Sequence, residues 1–219
     1  MIIVLDMGSG ETCKNDPYHV RAMIDAVDDA DNREVEIILK WQLFRGGEFA
    51  HLRALHPGVF ALAYDYARSK GYATTASVFD AESLDFLTGF RIPFVKYACL
   101  PSDRLPLGLD AGYWEGQRVM SYRNTEHENE IKLHAPTPHR LACVREYPAK
   151  NLSYALAFTE EQLRRGISDH TDHTLGMQLL MRYRPELYET HFCLDWQDGP
   201  DTGPFALRPE QLRDMLEAL

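Results

Sequence analysis

Short apolar stretches alternate with amphipathic segments along the whole chain. Several of the apolar stretches are nearly continuous, such as IIVLDM at the start, which is typical of strands buried on both faces. The pattern predicts strands at residues 2–7, 35–43, 72–79, 94–99, 118–122, 140–147, 165–168 and 187–194.

The intervals between most of these strands have helical periodicity. Residues 57–70, for example, carry apolar side chains at three- and four-residue spacing and are followed by Gly71, a common helix stop. Helices are predicted at residues 17–30, 57–70, 80–87, 159–164, 175–183 and 209–216. The intervals 100–117 and 123–139 show no convincing helix.

Strands that alternate with helices in this way favour an α/β fold, a compact (β/α)8 TIM barrel with shortened connections after strands four and five. We expect residues 1–219 to form this barrel as a single domain. An open doubly wound sheet is the alternative architecture.

Composition and charge limit the kinds of molecule that this protein is expected to bind. Apolar residues make up 45% of the chain and charged residues 26%, as in soluble globular proteins. A net charge of −10 without a basic run predicts no nucleic-acid partner. The first apolar run is too short for a signal peptide or a membrane span, so we expect a cytoplasmic protein that binds no membrane. The dispersed cysteines, Cys13, Cys99, Cys143 and Cys193, predict reduced and mostly buried thiols.

Polar residues recur at the carboxyl ends of the predicted strands, where TIM-barrel sites lie. A lysine within a buried strand is costly unless it meets an anion, and both Lys40 and Lys96 occupy such positions. Either lysine alone could pair with a core carboxylate. Two lysines together with Arg145 and strand-end serines favour a phosphate pocket; these serines are Ser77, Ser121 and Ser168.

The stretch SDHTDHTLG contains the triplet Asp-His-Thr twice. His170, in the first copy, and His191 end neighbouring predicted strands and so are expected on the same rim of the barrel. Two imidazoles with open water positions suit Mn²⁺ or a similar divalent ion such as Mg²⁺ or Co²⁺. His173, in the second copy, is the alternative ligand. We expect that copy to be an insertion that delays the next helix, with Thr174 as its cap.

Several segments together resemble the phosphoenolpyruvate-dependent N-acetylneuraminate (sialic acid) synthase family, across nearly the whole chain. The segments are ILKWQLF, ARSKGYATTASVFDAESLDFL, RIPFVKYAC, CVREYP, GISDHT, LGMQLL, YETHFCLDWQDGPD and LRPEQL. The resemblance implies a transferase that joins phosphoenolpyruvate to the aldehyde carbon of an N-acylmannosamine-like sugar and releases phosphate. It implies that His170 and His191 bind the metal. It also implies that the phosphoenolpyruvate contacts are Lys40, Ser77, Lys96, Ser121 and Ser168.

The resemblance further implies that Gln42 and Tyr147 face the sugar, that Asp6 handles the acceptor and that Asp201 lies near the metal. The sequence departs from the family pattern mainly on the acceptor side. Arg145 stands where the family has asparagine, and Asp6 replaces a glutamate. The chain ends one helix after strand eight, where the family continues into an antifreeze-like domain that contributes to dimers. These departures predict a truncated, single-domain member with a different acceptor, and they leave a homodimer as one possibility.

Two other functions fit the same sequence. One is a different metal-dependent TIM-barrel aldolase or isomerase, which phosphoenolpyruvate-independent turnover would reveal. The other is a non-catalytic relic of a synthase that acts as a binding subunit. A relic has no need to retain Lys40, Lys96, His170 and His191 together, and all four are present.

Overall fold

Eight parallel strands close into a barrel in this computed structural model. The model describes residues 1–45, 51–99, 117–134 and 139–219, with only the backbone described at 130–134 and 151. The barrel closes where Ile2 pairs with Leu187 and Asp6 pairs with His191. A two-residue strand, β9, extends the sheet beside β8. The strands are β1 (Ile2–Asp6), β2 (Glu36–Leu43), β3 (Ala73–Val78), β4 (Phe94–Tyr97), β5 (Gln117–Tyr122), β6 (His139–Cys143), β7 (Gly166–Asp169), β8 (Leu187–Phe192) and β9 (Ala206–Leu207).

Helices occupy most of the described connections between these strands, which confirms the predicted TIM barrel. They are α1 (Gly10–Cys13), α2 (Pro17–Ala30), α3 (Pro57–Ser69), α4 (Ala81–Leu87), α5 (Thr125–His134), α6 (Asn151–Ala157), α7 (Glu160–Arg165), α8 (His173–Tyr183) and α9 (Pro209–Glu217). The prediction of no helix after strand five is wrong, because α5 fills that connection. Most of the connection after strand four lies outside the described residues.

Two hydrophobic clusters follow from the alternation of side chains along each strand. One set of side chains points outward and packs against the helices, as Ile3 and Leu5 do with Met23 of α2. The other set fills the lower part of the barrel interior with apolar groups; its buried members are Val4, Ile38, Phe94, Val119, Leu141 and Leu187. The upper part of the interior is thereby left to other residues.

Among the predicted boundaries that differ from the structure, two bear on the site. Strand six ends at Cys143, so Arg145 and Tyr147 lie in the loop that follows it. Helix α8 begins at His173, because the Asp172 side chain accepts a hydrogen bond from the Leu175 backbone N–H at 3.0 Å. The second Asp-His-Thr copy therefore starts the helix and does not delay it.

Candidate active site

A ring of mostly polar side chains lies directly above the apolar interior. Six of its members stand two residues beyond a residue of the inner apolar cluster, on the same face of the same strand, as Asp6 follows Val4 and Lys40 follows Ile38. With one residue from each barrel strand, the polar ring comprises Asp6, Lys40, Ser77, Lys96, Ser121, Cys143, Ser168 and Glu189.

The polar ring forms the floor of a cavity of about 370 Å³ at the carboxyl ends of the strands. Every residue predicted for the site lines this cavity except His173. Those residues are Asp6, Lys40, Gln42, Ser77, Lys96, Ser121, Arg145, Tyr147, Ser168, His170, His191 and Asp201. The structure thus brings the predicted set together, while the role of each residue stays a prediction.

Lys40 is the centre of a buried ion-pair network. Its Nζ donates to Asp6 Oδ2 at 2.6 Å and to Ser77 Oγ at 2.8 Å, and it lies 3.8 Å from Glu189 Oε2. Burial disfavours the charge on Lys40, but the carboxylates of Asp6 and Glu189 outweigh burial and raise the pKa of this lysine. Lys40 is therefore cationic at neutral pH.

Glu189 bridges the two halves of the ring, a role that the sequence did not suggest. Its Oε1 accepts hydrogen bonds from Lys96 Nζ at 2.9 Å and from Ser168 Oγ at 2.8 Å. Burial favours the protonated acid, but Lys40 and Lys96 lower the pKa of Glu189 below its ordinary value. The two buried lysines are thus balanced by buried carboxylates within the ring.

Asp6 and Asp201 are joined by an amide above the ring. Gln42 Nε2 donates to Asp6 Oδ2 at 3.1 Å and to Asp201 Oδ1 at 3.0 Å. Burial alone would raise the pKa of Asp6, but the charge of Lys40 and the hydrogen bonds from Lys40 and the Gly8 N–H hold it well below its usual range. Asp6 is therefore ionised in this site.

Two residues near Asp201 and Asp6 were missed by the sequence analysis. Thr12 donates its hydroxyl to Asp201 Oδ2 at 2.9 Å, and the Gly8 N–H donates to Asp6 Oδ1 at 3.0 Å. Gly8 has a φ of 74°, and a Cβ there would collide with Thr12 and with Asp201. The turn after β1 therefore depends on this glycine, a signal visible in the sequence only as the pattern GSG.

The two histidine rings lie side by side in the cavity, with their centroids 5.5 Å apart. His170 Nδ1 lies 2.6 Å from the carbonyl oxygen of Val144, so this nitrogen carries the proton. The Nε2 lone pair can therefore accept a hydrogen bond, and the Tyr147 hydroxyl lies 3.1 Å from it. Burial, with a smaller contribution from His191, lowers the pKa of His170 to about 3.

A neutral imidazole fixed by a backbone carbonyl is the form in which histidine binds metals. His191 Nδ1 is buried, 3.5 Å from Asp201 Oδ1, and none of the described residues forms a hydrogen bond with it. Among the described residues, no cluster of three or more side chains forms a metal-binding set. His170 and His191 are the two imidazoles of the cavity that could hold a divalent ion.

Helix α6, which was not predicted, contacts His170 through the hydroxyl of Tyr154. The Tyr154 hydroxyl donates to the Ser168 carbonyl at 2.6 Å and accepts from the His170 N–H at 3.2 Å. His173, by contrast, lines a separate small cavity beside Asp169 and Tyr188. The structure thus places His170, and not His173, beside His191.

The fold and the position of the cavity together define the class as a TIM barrel with its site at the carboxyl ends of the strands. The chain belongs to the NeuB family, whose model matches residues 42–219. This membership confirms the family resemblance predicted from the sequence.

A curated relative supports the same family. Spore coat polysaccharide biosynthesis protein SpsE of Bacillus subtilis is 29% identical over 171 residues, which cover 71% of this chain and 45% of that protein. The chain thus matches less than half of this curated relative.

Among the helices of the described residues, none is long and apolar enough to cross a membrane.

Solved structures share the fold at lower identity. A spore coat polysaccharide biosynthesis protein E of Chromobacterium violaceum is 20% identical, with a TM-score of 0.77, over 99% of this chain and 73% of that one. The N-acetylneuraminic acid (sialic acid) synthetase of Leptospira borgpetersenii, solved with citrate, is 20% identical, with a TM-score of 0.73, over 98% of this chain and 81% of that one.

Proposed function

We propose that this chain condenses phosphoenolpyruvate with an aldehyde sugar and releases phosphate, with the help of a divalent metal ion, Mn²⁺ or else Mg²⁺ or Co²⁺. One observation carries the proposal: in a NeuB-family barrel, two buried lysines and two imidazoles line the same cavity. The lysines suit a phosphate and a carboxylate, and the imidazoles suit the metal.

The donor half of the proposal rests on the polar ring. Lys40 and Lys96 supply positive charge at the floor, and the ring serines supply hydroxyls. Ser121 Oγ is buried and has no hydrogen-bond partner in the described parts of the chain. Leaving a buried hydroxyl unpaired costs about 1–3 kcal/mol. A phosphate or carboxylate oxygen of phosphoenolpyruvate would remove that cost, which argues that the ring is built for an anion.

The reaction that we propose forms a carbon–carbon bond and exchanges the phosphate at C2 for the oxygen of water. C3 of phosphoenolpyruvate attacks the aldehyde carbon, water adds at C2, and the C2–O bond to phosphate breaks. When bound, the metal ion supplies Lewis-acid polarisation of the aldehyde oxygen. Lys40 and Lys96 hold the departing phosphate and offset its charge. Asp6, which is ionised, can accept the proton that the water at C2 releases and pass it to the former aldehyde oxygen, which becomes the acceptor hydroxyl, and Tyr147 and Gln42 orient the sugar.

The acceptor half of the proposal rests on the rim of the cavity. Arg145 lines the cavity, is exposed, and makes no ion pair with any described residue. Lys40 and Lys96 each have a carboxylate of the ring beside them, whereas Arg145 has no such partner among the described residues. We propose that it contacts an anionic group, on the donor or on an acceptor that differs from N-acetylmannosamine.

The test is phosphate release from phosphoenolpyruvate in the presence of Mn²⁺ and a panel of aldehyde sugars. We expect release that requires both the metal and one of the aldehydes, with a matching condensation product in mass spectra. No release with any aldehyde, together with no donor binding by calorimetry, would refute the proposal. Turnover of an aldehyde without phosphoenolpyruvate would instead support an aldolase or isomerase.

A further inference from the structure

A second cavity, of about 360 Å³, lies at the amino ends of β3 and β4, at the opposite end of the barrel from the candidate active site. Its lining comes from the start of β3, from the residues just before β4 and from the C-terminal half of α3. Its volume is within the range of small-molecule sites and is close to the 370 Å³ of the active-site cavity. No residue of the proposed condensation lines this amino-end cavity.

Two arginines line the amino-end cavity, and neither forms an ion pair with any described residue. They are Arg68 of α3 and Arg91, which lies shortly before β4. The nearby cation Lys70 differs, because its Nζ lies 3.0 Å from Asp28 Oδ2. The two guanidinium groups therefore give this cavity positive charge in a chain whose net charge is −10. A guanidinium fork is suited to the oxygens of a phosphate.

A buried hydroxyl in the lining also lacks a partner. Thr74 of β3 lines the amino-end cavity and is buried, and its Oγ1 forms no hydrogen bond within the described parts of the chain. The adjacent Thr75, by contrast, donates its hydroxyl to the Phe94 carbonyl. A buried hydroxyl without a partner destabilises the folded protein, and an oxygen of a bound ligand would supply that partner.

Two tyrosines in the lining are fixed by hydrogen bonds. The Tyr64 hydroxyl donates to the Arg91 carbonyl at 2.9 Å and so ties α3 to the segment before β4. The Tyr72 hydroxyl donates to Asp31 Oδ2 at 2.9 Å. Both tyrosines line the amino-end cavity, as does Pro93, and together they offer apolar surface to the carbon skeleton of a ligand. A preformed cavity with apolar walls and a few polar groups is typical of a small-molecule site.

We propose that the amino-end cavity binds an organic phosphate. The guanidinium groups of Arg68 and Arg91 hold the phosphate, and the Thr74 hydroxyl donates a hydrogen bond to it. The carbon skeleton packs against Tyr64 and Tyr72. Inorganic phosphate fills only part of such a volume, so an organic phosphate binds more tightly. The proposal does not rest on the proposed condensation, because the two cavities share no lining residue.

The experiment titrates phenyl phosphate into the full-length protein by calorimetry. We expect the double variant Arg68→Gln, Arg91→Gln to lose at least about tenfold in affinity for one equivalent, since both charge-assisted contacts are removed. Phenyl phosphate that binds in the active-site cavity is unaffected by this double variant. The matched control is Arg182→Gln, an exposed arginine over the Tyr183 ring that lines neither cavity, and it should bind as the wild type does. Equal binding to the double variant and to the wild type would overturn the proposal.

The variant Thr74→Val distinguishes a ligand contact from a structural one. Valine has the shape of threonine without the hydroxyl, so the unfolding midpoint of the ligand-free variant should rise while its affinity for phenyl phosphate falls about fivefold. A lower midpoint, or unchanged affinity, would overturn the assignment of Thr74 to the ligand. Inorganic phosphate that binds as tightly as phenyl phosphate would contradict an organic ligand. Binding of phenyl phosphate to a protein that never releases phosphate would refute the proposed function alone.

Discussion

The floor and the rim of the cavity are built in different ways. The polar ring at the floor takes one side chain from each barrel strand, and its ions are paired with one another, as Lys96 is with Glu189. The rim takes residues from loops after the strands, such as Arg145 and Asp201, and Arg145 has no ion-pair partner among the described residues. The ion pairs of the floor therefore hold the barrel interior together as well as lining the cavity, whereas no such pair holds Arg145 at the rim.

This difference predicts that substitutions at the floor change stability and activity together, whereas substitutions at the rim change activity alone.

The largest effect is expected for Lys40→Met. It leaves the Asp6 carboxylate buried without its closest cation, and breaking a buried pair in this way costs about 3–5 kcal/mol of unfolding free energy. Phosphate release should fall below detection. Denaturant unfolding measures the stability, and Lys70→Met, which breaks a surface pair with Asp25, is the control and should cost much less. Unchanged stability in Lys40→Met would mean that floor and rim do not differ.

The next largest effect is expected for His191→Ala. Changes around a metal ligand cost about 10–100-fold in affinity, so loss of one of two imidazoles should weaken Mn²⁺ binding by more than about 100-fold. Calorimetry or paramagnetic resonance of free Mn²⁺ measures this. His173→Ala is the matched control, because His173 lines a different cavity, and it should bind Mn²⁺ as the wild type does. The reverse result would make His173 the ligand.

A rim substitution, Arg145→Ala, should lower kcat/KM without changing stability. A hydrogen bond to a charged group contributes about 1.5–3 kcal/mol, which corresponds to roughly 10–150-fold in kcat/KM. The unfolding midpoint should stay at the wild-type value because Arg145 is exposed and makes no ion pair in the described parts of the chain. A large fall in the midpoint would contradict the assignment of Arg145 to the ligand.

The smallest effect is expected for Thr12→Ala, which acts through Asp201. It removes the hydroxyl that holds Asp201 Oδ2, a contact of about 1 kcal/mol and roughly fivefold in kcat. Thr12→Ser retains the hydroxyl and should restore kcat. If Thr12→Ser is as slow as Thr12→Ala, the methyl group and its packing, and not the position of Asp201, account for the loss.

Part of the floor could be predicted from the sequence because successive side chains point to alternate faces of a strand. A lysine two positions after Ile38 in an otherwise apolar strand must face the inside of the barrel, where it needs an anion. Which anion it meets could not be read. Glu189 was visible on its strand, but its contact with Lys96 depends on how the strands are staggered around the barrel, which no local pattern encodes.

The helices that were missed have weak local signals. Helix α5 begins with polar residues, and its inward face buries Glu128 against Arg140 and Arg165, so tertiary ion pairs take the place of an apolar stripe. Helix α6 has no side-chain hydrogen bond at its N-cap, Lys150. Helix α8 was predicted, but with Thr174 as its cap; the structure shows that Asp172 caps it two residues earlier.

The most direct test of the central claim is calorimetric titration of phosphoenolpyruvate into the wild type and into Lys96→Met, each with Mn²⁺ present. If the polar ring is the donor site, the wild type binds one equivalent, and the variant, shown to be folded by circular dichroism, loses at least about tenfold in affinity, since a charge-assisted contact contributes about 1.5–3 kcal/mol. Absence of binding to the wild type, or equal binding to a folded Lys96→Met protein, would contradict the account.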